Sequence, residues 1–420
     1  MKLKSIIAAS FGNILEWYDF ALFTAYASIF ATLFFPKVDH YAATIAVFGI
    51  FAAGFICRPL GAIIFGHFGD RLGRIKTLRA SVLCISIPTL LIGCLPTYDF
   101  IGLWAAVLLT VLRLFQGICL GGEYTGIIIY LTEMAPDKHR GFFASFAGTG
   151  ANIGILVATG IVALLAAFMS MADIQAWGWR LPFILAGVLG VMVYFFRLGL
   201  AETRVFEKMA EKAEIVKVPL REVFQQAPWH VLRIVGLVAA GSTFYYVCFV
   251  YLSTYLTQIS KLTQQHAAQL QSFFVLLMLL LVPLAGIVCD KVGRKRMYLW
   301  LLTLLMLTAI PGFYLLSTGY LPFILLTLGV FTLISSMEQG TTSATVVENF
   351  PARLRYTGIA LGYNLGNALF GGTAPLIMAW LLKTTNNPLS PAFYLMSAAS
   401  ITLFVVVFYL SETRHASLHD

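Results

Sequence analysis

Two short strings constrain the fold of this chain more than any other feature. Gly66-His67-Phe68-Gly69-Asp70-Arg71-Leu72-Gly73-Arg74 returns as Gly286-Ile287-Val288-Cys289-Asp290-Lys291-Val292-Gly293-Arg294. Each lies between two long apolar runs. A second pair follows at nearly the same offset. Glu133, Pro136 and Arg140 form E-x-x-P-x-x-x-R, and so do Glu348, Pro351 and Arg355. Short charged strings repeated between hydrophobic spans predict two related membrane halves. Proteins built from such repeats move solutes by rocking one half against the other.

Composition decides the solvent. Of the 420 residues, 59% are hydrophobic and 11% charged, whereas a soluble domain carries about 25% charged residues. A spanning helix needs about 20 apolar residues, so the chain has room for a dozen with short links. The expectation is an all-α integral membrane protein with twelve transmembrane helices in two pseudo-symmetric six-helix halves. We place the N-terminal half at 1–199, a cytoplasmic linker at 200–230 and the C-terminal half at 231–420. The start, Met1-Lys2-Leu3-Lys4-Ser5, leads straight into an apolar run holding Glu16 and Asp19. It lacks a small-residue cleavage site and reads as a retained helix.

Lys and Arg set the orientation. Only Lys37, Arg180, Lys261 and Lys383 fall on one side, and Arg58 and Arg113 lie inside spans. The rest fall on the side of the termini, which is therefore predicted to be cytoplasmic. The same asymmetry explains the net charge of +9 without nucleic acid. The linker balances its own acids and bases and reads as a solvated, partly helical connector.

The six cysteines sit in or at the ends of apolar spans, with no C-x-x-C or metal spacing. They read as small buried hydrophobes. No G-x-x-x-x-G-K-[ST] or H-E-x-x-H string is present. No metal or cofactor is implied, no nucleophile–base constellation suggests an enzyme, and uphill transport must draw on an ion gradient.

Charges inside spans are expensive, at least about 2.5–3.5 kcal/mol each on insertion scales, so the few present are candidates for function. They are Glu16 and Asp19 in the first helix, Arg113 and Glu123 in the fourth and Glu338 in the tenth; Arg58 is placed near the cytoplasmic end of the second. Asp19 and Arg113 are expected at matching depth near the midplane. Arg113 is then the expected receiver of a substrate carboxylate, and Asp19 the expected coupler of proton binding. Glu16 and Glu123 are further proton-coupling candidates, with a structural role equally open. Glu338 lies on a polar stripe with Ser335, Thr341 and Thr342, where it can meet a substrate ammonium, take a proton, or pair with a base nearer the cytoplasm. Tyr245 and Tyr246 fall near the midplane of helix 7 and can hold an ammonium by cation–π attraction, although packing would explain them too. Asn152, Asn364 and Asn367 complete the substrate-binding candidates.

The string Gly12-Asn13-Ile14-Leu15-Glu16-Trp17-Tyr18-Asp19-Phe20, ending in Phe34-Phe35-Pro36, resembles the first helix of the metabolite:proton symporter family of the major facilitator superfamily. Further matches are Arg58-Pro59-Leu60-Gly61, Gly121-Gly122-Glu123-Tyr124, Trp177-Gly178-Trp179-Arg180 and Arg355-Tyr356-Thr357-Gly358. Within that family the chain looks most like the proline/betaine transporters, with shikimate, citrate and 2-oxoglutarate symporters nearby. The resemblance implies proton-coupled uptake of a small carboxylate-bearing solute by alternating access. A zwitterion is favoured and a mono-, di- or tricarboxylate is the alternative. An exchanger and a transport-inactive sensor also remain open. It also implies that the duplicated loops latch the cytoplasmic side, through Gly66, Asp70, Arg71, Gly73, Arg74, Glu133, Arg140, Asp290, Arg294, Glu348 and Arg355. The implied partners are the solute, protons and the lipid bilayer of a bacterial inner membrane, with a single chain as the functional unit. Proline/betaine transporters extend into a long charged C-terminal segment. This chain ends at Asp420, so osmotic sensing through such a tail is not expected.

Overall fold

The computed structural model describes residues 3–35, 40–414, 416 and 418. Met1, Lys2, Pro36 and Lys37 lie outside the described residues. Every regular element among the described residues is helical. Eleven helices are long and apolar enough to cross a membrane. The opening span, Leu3–Ala25 continued beyond Tyr26 by Ala27–Phe34, carries Glu16 and Asp19 and completes the twelve.

The spans are α1 (Leu3–Ala25), α2 (His40–Arg71), α3 (Arg74–Cys94), α4 (Trp104–Met134), α5 (Arg140–Phe168) and α6 (Arg180–Leu198). After two short helices, Arg204–Glu211 and Pro219–Gln226, come α7 (Pro228–Gln258), α8 (Gln264–Val292), α9 (Arg294–Ser317), α10 (Leu321–Glu348), α11 (Ala352–Thr385) and α12 (Ser390–Phe408).

The polarity of these helices is that of a chain dissolved in lipid. On α10, Leu326 and Leu333 face outward while Ser335, Ser336, Thr341, Thr342 and Ser343 are buried. The inner hydroxyls are satisfied within the helix. Thr332, Ser336, Thr341 and Thr345 each donate to the carbonyl four residues back, at 2.7–2.8 Å. Hydrocarbon offers no water to do this, so internal satisfaction is obligatory.

Within the first half α2 packs on α4, α3 on α6, and α1 on α5; within the second α8 packs on α10 and α7 on α12. The halves meet along two crossed pairs, α2 with α11 and α5 with α8. A turn of π-helix interrupts α7 at Tyr246–Tyr251 and α11 at Asn367–Gly372. Such insertions re-aim side chains and recur at functional sites.

The duplicated strings are not loops for most of their length. Gly66 to Arg71 is the last part of α2, and Gly286 to Val292 the last part of α8. The chain turns at Gly73 and Gly293, whose φ angles are +110° and +106°. A side chain at either would strain the backbone, which is why glycine stands at both. Because α2 runs to Arg71, Arg58 lies about 20 Å from its end at 1.5 Å per residue. The expectation that Arg58 sits near the helix end is therefore corrected: it is deep in the bundle.

The segment between the halves is partly helical but not fully solvated. Val205, Phe206 and Met209 are buried together with Leu418, and the Arg74 guanidinium lies 5.2 Å from the Phe206 ring.

Candidate functional site

A small cavity of about 50 Å³ lies between the halves. Trp17, Arg58 and Tyr124 line it from the first half, and Ser242, Tyr245, Tyr246, Glu338, Gln339, Thr342, Tyr363 and Asn367 from the second. Its walls carry opposite charge: a guanidinium on α2 and a carboxylate on α10. Aromatic contacts between the halves surround it. Trp17 meets Tyr245 edge-on at 5.6 Å, Phe55 meets Tyr246 at 6.0 Å, and Tyr124 stacks on Tyr363 at 5.1 Å.

The sequence candidates divide here. Tyr245, Tyr246, Glu338 and Asn367 line the cavity. No described Lys, Arg or His forms an ion pair with Glu338, so the expected alternative of a basic partner is not realised. Asn367 accepts from the Ser242 hydroxyl at 2.8 Å. Asn152 donates to Gln339 across the halves at 3.1 Å. Asn364 accepts from the Arg58 Nε at 3.2 Å and donates to the Gly121 carbonyl at 2.9 Å, also across the halves.

Asp19 and Arg113 do meet, at 2.6 Å. Neither lines the cavity. Asp19 also accepts from Thr89 and Gln116, each at 3.2 Å, and the Arg113 guanidinium lies 3.6 Å from the Phe23 ring centroid. The pair is enclosed by α1, α3 and α4 of one half. Arg113, the expected carboxylate receiver, is thus not reached by the cavity in this conformation, and Arg58 is the arginine that faces it. Glu123 is also moved. It pairs with Arg197 at 2.5 and 3.1 Å and accepts from Ser81. Both oxygens are engaged, which fits the structural role that the sequence left open for Glu123. Arg197, which the charge count placed with the bases on the side of the termini, is fully buried and donates to the Ala9 carbonyl at 2.7 Å.

The duplicated strings build two matching ion-pair lattices at the end of the bundle that holds the termini. The Asp70 carboxylate accepts from the N–H groups of Tyr356 and Thr357 at 3.0 and 2.9 Å. Asp290 accepts from Gly141 and Phe142, both at 2.8 Å. Each carboxylate thus sits on the first turn of a helix in the other half, where exposed N–H groups and the helix dipole favour an anion. Arg74 pairs with Asp70 at 3.3 Å and Glu133 at 3.4 Å, and Arg294 with Asp290 at 3.1 Å and Glu348 at 2.8 Å. Arg355 reaches Glu133 at 2.9 Å and Arg140 reaches Glu348 at 3.7 Å, again across the halves. Gly66 and Gly286 let the backbones of Thr357 and Gly141 approach. Arg71 is the exception among the gating candidates. It is exposed and forms no ion pair among the described residues, so its place in the lattice is corrected.

Four lattice residues escaped the sequence reading. Glu202 accepts from the Ile75 N–H at 3.2 Å, and Glu412 from Arg294 and Lys295 at 2.9 and 3.1 Å. Thr203 donates to Glu133 at 2.6 Å and Thr413 to Glu348 at 2.7 Å. Burial holds the Glu202 carboxyl above its ordinary range, and the N–H groups of Thr203 and Ile75 offset this only in part. The signal was present: Leu200-Ala201-Glu202-Thr203-Arg204 repeats as Leu410-Ser411-Glu412-Thr413-Arg414.

Comparison with known proteins fits this geometry. The chain is 33% identical over 424 residues to the proline/betaine transporter of Escherichia coli (strain K12), covering 99% of this chain and 84% of the relative. It is 34% identical to the glycine betaine/proline/ectoine/pipecolic acid transporter OusA of Dickeya dadantii (strain 3937), with the same coverage. It is 36% identical to the inner membrane metabolite transport protein YhjE of Escherichia coli (strain K12), covering 99% and 95%. Among solved structures, the proton:xylose symporter XylE matches with a TM-score of 0.76 at 18% identity, covering 99% of this chain and 97% of that one. The family model of the Major Facilitator Superfamily matches residues 18–375. With its twelve spans, mirrored lattices and cavity between two halves, the chain belongs to the Major Facilitator Superfamily, a family of membrane transporters and not of enzymes.

Proposed function

We propose that this protein is a proton-coupled symporter that takes up a small zwitterion, of the proline and betaine type, by alternating access. The observation that carries the reading is the charge layout of the cavity. Arg58 stands on one wall and Glu338 on the other, with Trp17, Tyr124, Tyr245, Tyr246 and Tyr363 between them. A carboxylate suits the guanidinium. A substituted ammonium suits the aromatic faces, each worth about 0.5–2 kcal/mol, and the Glu338 carboxylate. A dicarboxylate would meet Glu338 with like charge, which disfavours the alternative substrates. The names of the relatives point the same way.

In this reading the halves divide near 199 and 231, with 200–230 joining them. The termini face the cytoplasm of a bacterium, in line with the Lys/Arg asymmetry. The lattices hold the cytoplasmic side closed in the conformation described, and they must open for release. A single chain carries the whole pathway.

The test is uptake of labelled glycine betaine and proline into proteoliposomes under an imposed pH gradient. Accumulation that a protonophore abolishes is expected. Uptake indifferent to the gradient, with counterflow intact, would make the protein an exchanger. Uptake of neither zwitterion alongside uptake of a dicarboxylate would overturn the substrate class.

A further inference from the structure

We infer that Glu16 and Arg58 form the coupling device: Glu16 is the counter-ion of Arg58 in the empty carrier, a substrate carboxylate displaces it, and the released Glu16 takes up the co-transported proton. This assignment rests on the proton-symport reading above and moves the coupling step away from Asp19 and Arg113.

Access is the first reason. Arg58 lines the cavity and Arg113 does not. A substrate can compete only for a guanidinium it can touch.

The quality of the pairing is the second. Three carboxylates of the first half meet an arginine in the membrane interior. Asp19 is held at 2.6 Å with two further donors, and Glu123 by both oxygens. Glu16 has one contact to Arg58, at 3.5 Å. Its other oxygen is buried with no hydrogen-bond partner among the described residues. A charge-assisted bond gains energy from short, multiple contacts, so this pair gives up least when it exchanges partners.

What remains around Glu16 after that exchange decides its fate. Facing it are Arg58 from α2, Glu123 and Tyr124 from α4 and Tyr246 from α7, with Asp19 one turn on along its own helix. Arg197 from α6 is committed to Glu123. Neither α3 nor α5 carries a charged side chain at that depth. Once a substrate carboxylate holds Arg58, no second cation among the described residues faces Glu16, and a buried carboxylate without a counter-ion is neutralised by a proton. The proton comes from water in the open cavity and rests on a Glu16 oxygen while the substrate is bound. It returns to water on the other side when the substrate leaves and the carboxylate recaptures Arg58. One zwitterion and one proton cross, and the protein ends as it began.

Arg58 also touches the other half through Asn364. A change of partner at Arg58 is thus felt at the interface that must open.

The deciding measurement is proton uptake on binding, by a pH indicator in weakly buffered detergent solution with glycine betaine as the probe. Wild-type protein should take up about one proton per bound molecule at saturation. Glu16→Gln should abolish that uptake and cut proton-driven accumulation at least about tenfold, while betaine binding persists, since the variant removes the group that competes with the substrate for Arg58. Arg58→Lys should weaken betaine binding more than about tenfold, the scale of disturbing one side of a buried charge pair. Asp19→Asn should still take up the proton on binding. Proton uptake that persists in Glu16→Gln, or that vanishes in Asp19→Asn while binding survives, overturns the assignment. Should Glu16→Gln not fold, Arg58→Lys and Asp19→Asn decide alone: unchanged betaine affinity in the first, or lost proton uptake in the second, overturns it. Wild-type protein that binds no zwitterion, or binds it without any proton, instead defeats the proton-symport reading on which the assignment stands.

Discussion

The end of the bundle that holds the lattices and the centre that holds the cavity are built on opposite plans. In the lattices every residue has a twin: Asp70 and Asp290, Arg74 and Arg294, Glu133 and Glu348, Arg355 and Arg140, Glu202 and Glu412. At the centre the twins have parted. Glu123 and Glu338 stand at the same spacing before Glu133 and Glu348, but among the described residues only Glu123 pairs with an arginine. Where the first half has Arg197, the second has the apolar stretch Val405-Val406-Val407. Arg58 corresponds to Met278, and Arg113 to Leu328. The repeat is matched where the halves clasp each other and unmatched where they line the cavity.

The sharpest way to break this comparison is to treat the parted twins alike. Glu123→Gln leaves Arg197 buried without its counter-ion, a change that costs about 3–5 kcal/mol. Glu338→Gln removes a carboxylate that has no ion-pair partner to orphan among the described residues, so stability should change little while betaine affinity falls about tenfold or more. Thermal unfolding and direct binding on the two purified variants separate the outcomes. Equal stability losses with equal affinities would mean that both glutamates are structural and that the centre is as symmetric as the lattices.

What could be read from the residues follows the same division. The repeats, spans and lattice partners were legible because a charged string between apolar runs has few explanations, and its recurrence has fewer. The depth of Arg58 was not, because glycine and aspartate suggest a loop and α2 instead runs through them to Arg71. The burial of Arg197 was not legible for a related reason: Phe195-Phe196-Arg197-Leu198 looks like a membrane border, and the packing of α6 on α1 and α3 turns it inward. Asp19 and Arg113 were matched correctly in depth. Depth, however, does not say which face of a helix looks into the cavity, and that depends on the rotation of α1 and α4.

The matched side of the comparison predicts matched effects. Asp70→Asn and Asp290→Asn each weaken two charge-assisted bonds from backbone N–H groups and one contact to arginine. The cost should be about 1–3 kcal/mol in either half. Both should slow transport by loosening the closed arrangement while leaving betaine affinity nearly unchanged, because neither residue lines the cavity. Uptake rates and binding constants measured side by side check this. A large effect from one and none from the other would show that one lattice alone latches.

The smallest expected effect sits inside the same strings and marks where the lattice stops. Arg71 and Lys291 occupy equivalent positions beside Asp70 and Asp290, and both are exposed. Neither forms an ion pair among the described residues, since Arg74 and Arg294 take that role three residues on. Exposed charges of this kind contribute little, so Arg71→Ala and Lys291→Ala should each change stability by no more than about 0.5 kcal/mol. Uptake should match wild type for the same reason. Their positive charge then serves chiefly to keep the loop on its own side of the membrane, a task that neighbouring Lys and Arg residues share. Thermal unfolding and initial uptake rates test the claim directly. If Arg71→Ala slowed transport as much as Asp70→Asn, the moving lattice would have to include a side chain that the closed arrangement leaves in solvent, and Arg71 would gain its partner only when the halves part.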